Sequence, residues 1–245
     1  MIKFANENSK DVEALKSYSN IDSFAVKILA LLKAYGTTQS FLHFYFQEAE
    51  GGVSAIMAQL DGDLTLSYSA EANVEELVDF TLNLGFTSLL CNADFPLYEP
   101  FDEGVIIATG MKPQAVKKYK FTEPQTHDEL LEFFKFSDYG AMNFDAFYVD
   151  LNHRLRHGTA KTLELKFNGE IACVGLLSSI YGDDAIISAV KTDERTRGMG
   201  YGTALVGELM NKVHGTVFVM REENKNESFY KNLHFENIGR WRIYT

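Results

Sequence analysis

The sequence has little of several residue types, and each shortage limits what the protein can be. Only two of its 245 residues are cysteine. Cys91 and Cys173 each lie in an apolar, strand-like run, so we expect two reduced core thiols. No cysteine and histidine cluster has zinc spacing, and we expect no metal. No run of 18 apolar residues and no apolar signal core are present, which predicts a cytoplasmic protein without a membrane span.

Positive charge is also scarce. Lysine and arginine number 23 against 34 aspartate and glutamate residues, which gives a formal net charge of -11. Nucleic acid is therefore a disfavoured partner, because phosphate binding needs a basic surface. The acidic balance could suit a cationic small substrate, but solubility is the simpler explanation.

The chain is long enough for one large domain or two modest ones. Pro113, Pro124 and nearby turn residues predict a boundary, so we divide the chain into 1–112 and 113–245. The first part predicts a broken helical region, three strands with a DGD hairpin, and a helix from an Asn73 N-cap to Gly85. Two more strands follow.

The second part predicts a strand at 115–123, helices that begin at Thr126 and at the NFDAF segment, and a hairpin at Asn168-Gly169. Another strand, a glycine-rich stretch with its helix, a strand, a short helix and a closing strand follow. Both parts repeat three meandering strands, a helix and a strand, which indicates a degenerate internal repeat. The first has SAEANVEE where the second has RTRGMGYGT.

The glycine-rich stretch is the most informative motif. Gly198, Gly200 and Gly202 lie between a strand and a helix, with Arg195 and Arg197 just before them. Glycine lets backbone N–H groups face a ligand, and a helix start attracts anions. We therefore expect a phosphate-binding loop in the second part, whereas the acidic, glycine-free turn of the first should repel phosphate.

Two common phosphate motifs do not fit this loop. Walker A needs Gly-Lys-Ser/Thr, but Gly202 is followed by Thr203 and Ala204. A dinucleotide fingerprint needs GxGxxG in a βαβ unit, whereas this chain has GxGxG after a hairpin meander. An NTPase and a nicotinamide or flavin enzyme are therefore disfavoured.

The stretch VKTDERTRGMGYGTALV resembles the acetyl-CoA pyrophosphate loop of the GNAT superfamily of N-acetyltransferases. The family pattern, Arg/Gln-x-x-Gly-x-Gly/Ala, is met by Arg197, Gly200 and Gly202, or in a second register by Arg195, Gly198 and Gly200; we prefer the first. The segment NKNESFYKNLHF resembles the family's second motif through its Tyr and Phe, although His stands where the family usually has Gly.

The resemblance implies a mixed α/β (α+β) fold with a central, mostly antiparallel sheet flanked by helices. The GNAT domain would span 113–245, preceded by a smaller α/β domain at 1–112, a degenerate GNAT-like repeat without the cofactor loop. Acetyl-CoA is the implied cosubstrate. The resemblance assigns its binding to these residues: Ser188, Ala189, Val190, Arg195, Arg197, Gly198, Met199, Gly200, Tyr201, Gly202, Thr203, Asn224 and Asn226.

The resemblance also implies direct attack of an amine on the thioester, with Tyr230 as the proton donor to the leaving thiolate. For Asn224 or Asn226, an N-cap role and a cofactor contact both stay open. The base that takes the amine proton is not identified. Its candidates are Glu222, Glu223, Tyr148, His153 and His157, although the two histidines also suit a helix C-terminus.

The expected partners are acetyl-CoA and a small-molecule or peptide amine, without nucleic acid or membrane. A homodimer is an open alternative. A second function stays open too, because a non-catalytic acyl-CoA-binding module would need the same loop.

Overall fold

The computed structural model describes residues 1–113, 118–137 and 143–245. In chain order its elements are β1 Ile2–Phe4, α1 Ser9–Lys16, α2 Ser23–Tyr35, β2 Leu42–Ala49, β3 Gly52–Leu60, β4 Asp63–Tyr68, α3 Val74–Leu84, β5 Ser88–Asn92, β6 Asp102–Thr109, α4 His127–Phe136, α5 Phe144–Arg156, β7 Lys161–Phe167, β8 Glu170–Tyr181, β9 Asp184–Thr192, α6 Tyr201–Met210, β10 Val217–Arg221, α7 Glu227–Lys231 and β11 Glu236–Tyr244. The expected mixed α/β class, with mostly antiparallel strands and flanking helices, is confirmed.

The chain forms two compact units, and neither is continuous in sequence. The first comprises Met1–Ile106, Met220–Glu223 and Asn237–Thr245, and the second Ile107–Val219 and Asn224–Glu236. The boundary at 112/113 remains a prediction of where two functional domains divide.

The first unit is built on strands in the order β1-β2-β3-β4-β5-β11. Pairing is antiparallel except between β4 and β5, which are parallel. Helix α2 is apolar on nearly all its faces, and ten of its residues are buried. One side of the sheet supports a core that includes Leu66, Leu77, Leu89, Phe95 and Tyr244.

The second unit is built on strands in the order β10-β9-β8-β7. Strands β7, β8 and β9 form an antiparallel meander, and β10 pairs parallel to β9. Helices α4 and α5 contribute Leu130, Phe133, Phe147 and Leu151 to a buried cluster that includes Val174 of β8. Helix α6 packs on the meander through a face in which Leu205, Leu209 and Met210 are fully buried.

The predicted caps and turns form as local chemistry requires. The Asn73 side chain accepts from the Glu76 amide at the start of α3. Thr126 and Glu129 complete a capping box at α4. Asn168 and Gly169 both have positive φ, as a tight hairpin turn needs.

The strand predicted at 115–123 is wrong for the part of that range that the structure describes. Residues 114–117 lie outside the described residues, and of the rest only Thr122 makes a bridge, to Glu164. The alternation of apolar and polar side chains over 115–123 favours a strand. Pro124 lies two residues after Thr122 and has no N–H to donate, so strand pairing cannot continue there. Strand β1, only three residues long, was not predicted.

Across the described ranges, no helix combines the length and apolar character that a bilayer crossing requires. Within the same ranges, no group of three or more histidine, cysteine, aspartate or glutamate residues is arranged to hold a metal ion.

Candidate functional site

A β-bulge interrupts β9 just before the glycine-rich loop. Ala189 and Val190 lie opposite the single residue Gly175 of β8, so β9 carries one extra residue there. Ala189 has φ +53°, a left-handed conformation that costs about 1–2 kcal/mol for a residue with a Cβ atom. Strain of this kind is concentrated at functional sites, which directs attention to the end of β9.

Strands β9 and β10 pair only over their first residues. Ala185 to Ile187 pair with Val217 to Val219, and β9 then continues to Thr192 beyond this ladder. Ser188 to Thr192 lie beyond the last residue pair of this ladder. The bulge and the end of the ladder therefore leave the last residues of β9 beside an opening in the second unit.

The loop after β9 leads directly into α6. Gly198 and Gly200 both have φ +81°, which glycine adopts without strain. Gly200 is the N-cap of α6, and no side chain caps the helix. The first N–H groups of an α-helix have no partner within the helix, and its N-terminus carries a partial positive charge. This helix start therefore suits an anion.

The third glycine serves packing rather than backbone conformation. A Cβ atom on Gly202 would lie 3.0 Å from Thr192 Oγ1 and 3.7 Å from Phe229 Cε2. A side chain here would push the helix away from the end of β9 and from α7. Gly198 and Gly200 thus serve the backbone conformation of the loop and Gly202 serves close packing, and together they bring three elements close to one point.

A cavity of about 750 Å³ opens where these elements meet. It is lined by Val190, Lys191, Thr192, Thr196, Arg197, Gly198, Gly200, Tyr201, Gly202, Thr203, Lys225, Asn226, Phe229 and Tyr230. All of these residues belong to the second unit. The size suits a ligand as large as a nucleotide-linked thioester arm, of which such pockets bury part.

Three cationic residues line the cavity of a strongly acidic protein. Lys191, Arg197 and Lys225 come from β9, the loop and the segment before α7. The Arg197 guanidinium also lies 3.3 Å from Glu194, but both side chains are mostly exposed, so this pair holds the arginine only weakly. The cations and the helix start act in the same direction and favour a ligand with several negative charges.

Sequence reasoning missed the two lysines. Lys191 directly precedes the loop, and Lys225 stands between the two asparagines that were assigned to the cofactor. Their positions beside predicted site residues were the available signal. Thr192, Thr196 and Phe229 were missed as well, because their role depends on packing between α6, β9 and α7.

Helix α7 brings the predicted catalytic tyrosine to the cavity. Tyr230 is 7% exposed and lines it. Its ring makes T-shaped contacts with Phe229 and Phe235, at centroid distances of 5.0 and 5.4 Å. Two edge-to-face contacts restrict how the ring can turn. The tyrosine is therefore held in place in the cavity wall.

Asn226 occupies the N-cap position of α7 but makes no side-chain capping hydrogen bond. It has φ +58° and lines the cavity. Of the two alternatives for this asparagine, the geometry does not show the side-chain cap. Asn224 also has positive φ but lies outside the cavity lining.

Four other predicted cofactor residues are not in that lining: Ser188, Ala189, Arg195 and Met199. Arg195 instead donates to Asp193 at 2.9 Å and to Glu170 at 2.8 Å. Hydrogen bonds to Asp193 from the side chain and the amide of Arg195 hold the pKa of Asp193 below its ordinary value. The arginine therefore braces the start of the loop, and its contact with a cofactor remains a prediction.

The residues considered as the base for the amine proton lie away from the cavity lining. Glu222 and Glu223 belong to the first unit, where hydrogen bonds from Arg240 lower the pKa of Glu223. The rings of His153 and His157 stack at 4.2 Å, and His157 Nδ1 donates to the His153 carbonyl at 2.8 Å. This arrangement agrees with histidines that satisfy a helix C-terminus. The structure brings neither these four residues nor Tyr148, the fifth candidate, into the cavity lining.

Comparison with known proteins gives one family match. Residues 173–244 match the model of the FR47-like protein family. This range includes β9, the glycine-rich loop, α6 and α7, so it covers the candidate site but less than half of the chain. A comparison with curated protein sequences gives no significant match.

Solved structures resemble the fold over nearly the whole chain. A tandem GNAT protein from the clavulanic acid biosynthesis pathway, without AcCoA, has TM-score 0.56 and 14% identity, with 99% of this chain and 97% of that chain covered. A GNAT-family acetyltransferase from Colwellia psychrerythraea has TM-score 0.53, 14% identity and the same coverage. A GCN5-related N-acetyltransferase from Kribbella flavida has TM-score 0.55 and 10% identity, covering 90% and 92%.

These findings confirm the resemblance that the two motifs indicated. Identities this low establish the fold and leave the activity to be argued from the site. The chain carries an FR47-like, GNAT-type region over residues 173–244, and its fold is that of the GNAT N-acetyltransferases.

Proposed function

We propose that this protein is an acetyl-CoA-dependent N-acetyltransferase that acts on a primary amine in the cytoplasm. One observation carries the proposal. The uncapped, glycine-flanked start of α6 and the buried Tyr230 line the same cavity, so a helix start that suits an anion and a phenol hydroxyl share one compartment. A GNAT fold with this arrangement supports a transferase more than a binding module, which needs no buried tyrosine.

The residues present fit an acyl-CoA ligand. The N–H groups at the start of α6 and the three cations would hold its diphosphate, since both favour multiple negative charges. The N–H and C=O groups of β9 beyond the ladder, from Ser188 to Val190, would pair with the amides of the pantetheine arm. Arg195 and Met199 would support the loop from outside the cavity.

In the proposed reaction, the neutral amine attacks the thioester carbonyl. A C–N bond forms, the C–S bond breaks, and the amine loses a proton to water or to a base not yet assigned. Tyr230 donates its hydroxyl proton to the departing sulfur, and solvent returns one to the phenol. A thiol has a pKa of about 8.5, so its protonation near pH 7 is favourable and benefits from a positioned donor.

The first test is ligand-induced stabilisation. A ligand that binds only the folded state raises its stability by mass action. We expect acetyl-CoA to raise Tm, and NAD and ATP at the same concentration to leave it unchanged. No shift with acetyl-CoA would overturn the proposal, and a shift with NAD or ATP alone would point to a nucleotide-binding protein.

The second test separates an enzyme from a binding module. In Tyr230→Phe we expect turnover, measured as thiol release with a panel of primary amines, to fall about 10²- to 10³-fold, the scale of a lost general acid. Affinity for acetyl-CoA should change less than threefold, because the ring contacts remain. Tyr181→Phe at the end of β8 is the matched control. Binding without turnover in the unaltered protein would support the non-catalytic module.

A further inference from the structure

The peptide between Met199 and Gly200 is the least constrained part of the proposed acyl-CoA loop. Rotation of this peptide plane changes ψ of Met199 and φ of Gly200, which is +81°. Glycine accepts positive and negative φ almost equally, so at Gly200 a rotation by half a turn costs little. Helix α6 does not prevent the rotation, because Gly200 is the N-cap and not a residue within the helix. No side chain caps the helix start, so no capping hydrogen bond fixes this peptide.

The orientation of that peptide decides what the loop shows to a ligand. In a trans peptide the C=O of Met199 and the N–H of Gly200 point in opposite directions. Gly200 lines the cavity and Met199 does not. The observed orientation therefore places the Gly200 side of this peptide, which carries the N–H donor, toward the cavity. In the flipped orientation the cavity would receive a carbonyl oxygen, which repels phosphate oxygens.

Tyr119 holds the observed orientation. Its hydroxyl donates to the Met199 carbonyl at 3.2 Å. Its ring meets the Tyr201 ring edge-to-face, with centroids 5.2 Å apart and an interplanar angle of 85°. One tyrosine thus contacts the residues on both sides of Gly200, and its hydroxyl lies 4.0 Å from where a Gly200 Cβ would be.

We propose that Tyr119 is a positioning residue for acyl-CoA, which locks the Met199–Gly200 peptide so that the Gly200 N–H faces the cavity. The inference rests on the proposed function of the loop. Tyr119 does not line the cavity and is not a catalytic residue. Its effect is on the conformation of the free protein, because a ligand that binds one loop orientation loses affinity in proportion to the population of the other.

The test is Tyr119→Phe, which removes the hydroxyl and keeps the ring. We expect the Kd and the KM for acetyl-CoA to rise about twofold, because two orientations of nearly equal energy leave about half of the free protein competent, with kcat unchanged. Tyr98→Phe is the matched control, because the Tyr98 hydroxyl also donates to a main-chain oxygen, that of Thr245, at 3.2 Å and is likewise exposed. This control should change neither constant.

A second measurement needs no ligand. In ¹⁵N relaxation-dispersion experiments, Tyr119→Phe should introduce exchange at the Gly200 and Tyr201 amides, and Tyr98→Phe should not. An unchanged Kd together with no new exchange at Gly200 would overturn the inference. If the unaltered protein fails to bind acetyl-CoA, the proposed function fails, and new exchange in Tyr119→Phe would still show that Tyr119 holds the peptide.

Discussion

The two units begin from the same local plan and end differently. In the first, Asp63 to Thr65 of β4 pair in parallel with β5; in the second, three residues of β9 pair in parallel with β10. In both, a helix connects the two parallel strands. The first helix, α3, is capped by the Asn73 side chain and has Glu75 and Glu76 in its first turn. The second, α6, has a glycine cap and no acidic residue there.

The region beyond the parallel ladder differs as well. In the first unit the rings of Tyr68 and Phe95 meet there, with centroids 5.8 Å apart, and the Tyr244 hydroxyl donates to the Phe95 carbonyl. Phe95 is 1% exposed. In the second unit the corresponding residues of β9 border a cavity. The same chain order therefore leaves a cavity where the helix start is uncapped and closes the corresponding space where the helix is capped.

The largest effect that we expect comes from making the second helix start resemble the first. Gly200→Glu forces φ +81° on a residue with a Cβ atom and adds a negative charge at the helix start. The free loop should relax to a negative φ, so binding has to restore the strain. This strain and the charge, at about 1–2 kcal/mol each, should weaken acetyl-CoA binding about 100-fold. Isothermal titration calorimetry should show one site per chain in the unaltered protein and a Kd about 100-fold higher in the variant.

The control for this change is Gly158→Glu, which has the same kind of positive φ, +65°, and open space around it, after α5. It should lower stability but leave acetyl-CoA affinity unchanged. Two binding events per chain in the unaltered protein would contradict the difference that we draw between the units. The first unit would then bind ligand although its helix is capped.

The next effect concerns the interior of the first unit. Asp22 caps α2 by accepting from the Ala25 amide at 2.7 Å, and the Ser67 hydroxyl donates to it at 3.0 Å. Burial nevertheless raises the pKa of Asp22 to about 6. Between about pH 4 and pH 6 the folded chain therefore holds a proton that the unfolded chain releases, so the stability from this group is present at low pH and is lost as the pH rises through 6.

In the Asp22→Asn variant, the asparagine side chain can still cap α2 but cannot ionise. The fall in stability as the pH rises through 6 should therefore disappear. We expect the variant to be more stable than the unaltered protein at pH 7, by on the order of 2 kcal/mol, and no more stable at pH 4. Urea denaturation at several pH values measures it. Asp11→Asn is the control of opposite sign, because a hydrogen bond from the Asn6 amide lowers the pKa of Asp11. Parallel pH profiles for the Asp22 variant and the unaltered protein would refute the prediction.

Much of this comparison is readable in the sequence. Asparagine before an acidic turn predicts a closed helix start, and alternating glycines predict an open one. The bulge at Ala189 is not readable, because alanine carries no signal for positive φ. Lys191 and Lys225 could not be assigned either, since their place in the cavity depends on how β9 and α7 pack together. Local chemistry is encoded in neighbouring residues, whereas the site is completed by contacts between distant ones.

A smaller effect tests the close approach at the open helix start. In Gly202→Ala the new Cβ would lie 3.0 Å from Thr192 Oγ1, so the helix start must shift. We expect acetyl-CoA affinity to fall about tenfold, although alanine favours the helix itself. Thr192→Ala in the same chain should restore affinity to within threefold, which a double-mutant cycle measures.

Gly207→Ala is the control within the same helix, since its Cβ would approach Pro113 at 3.2 Å and lies outside the cavity lining. It should leave acetyl-CoA affinity unchanged. Equal losses in the single and double variants at Gly202 would mean that the Thr192 contact is not the reason for this glycine.

The smallest effect concerns His234, which stands after α7 where the GNAT motif usually has glycine. It has φ +62°, and the turn is closed by a hydrogen bond from the Phe235 amide to the Tyr230 carbonyl at 3.1 Å. His234→Gly relieves about 1–2 kcal/mol of left-handed strain but restores chain entropy to the unfolded state, so we expect a net gain of about 0.5 kcal/mol. Tm should rise about 1–2 °C, with turnover unchanged.

The control in the first unit is Asp61, which has φ +48°. Asp61→Gly should gain less stability, because aspartate tolerates this conformation better. A loss of stability in His234→Gly would show that the histidine side chain, and not only its backbone, holds the end of α7.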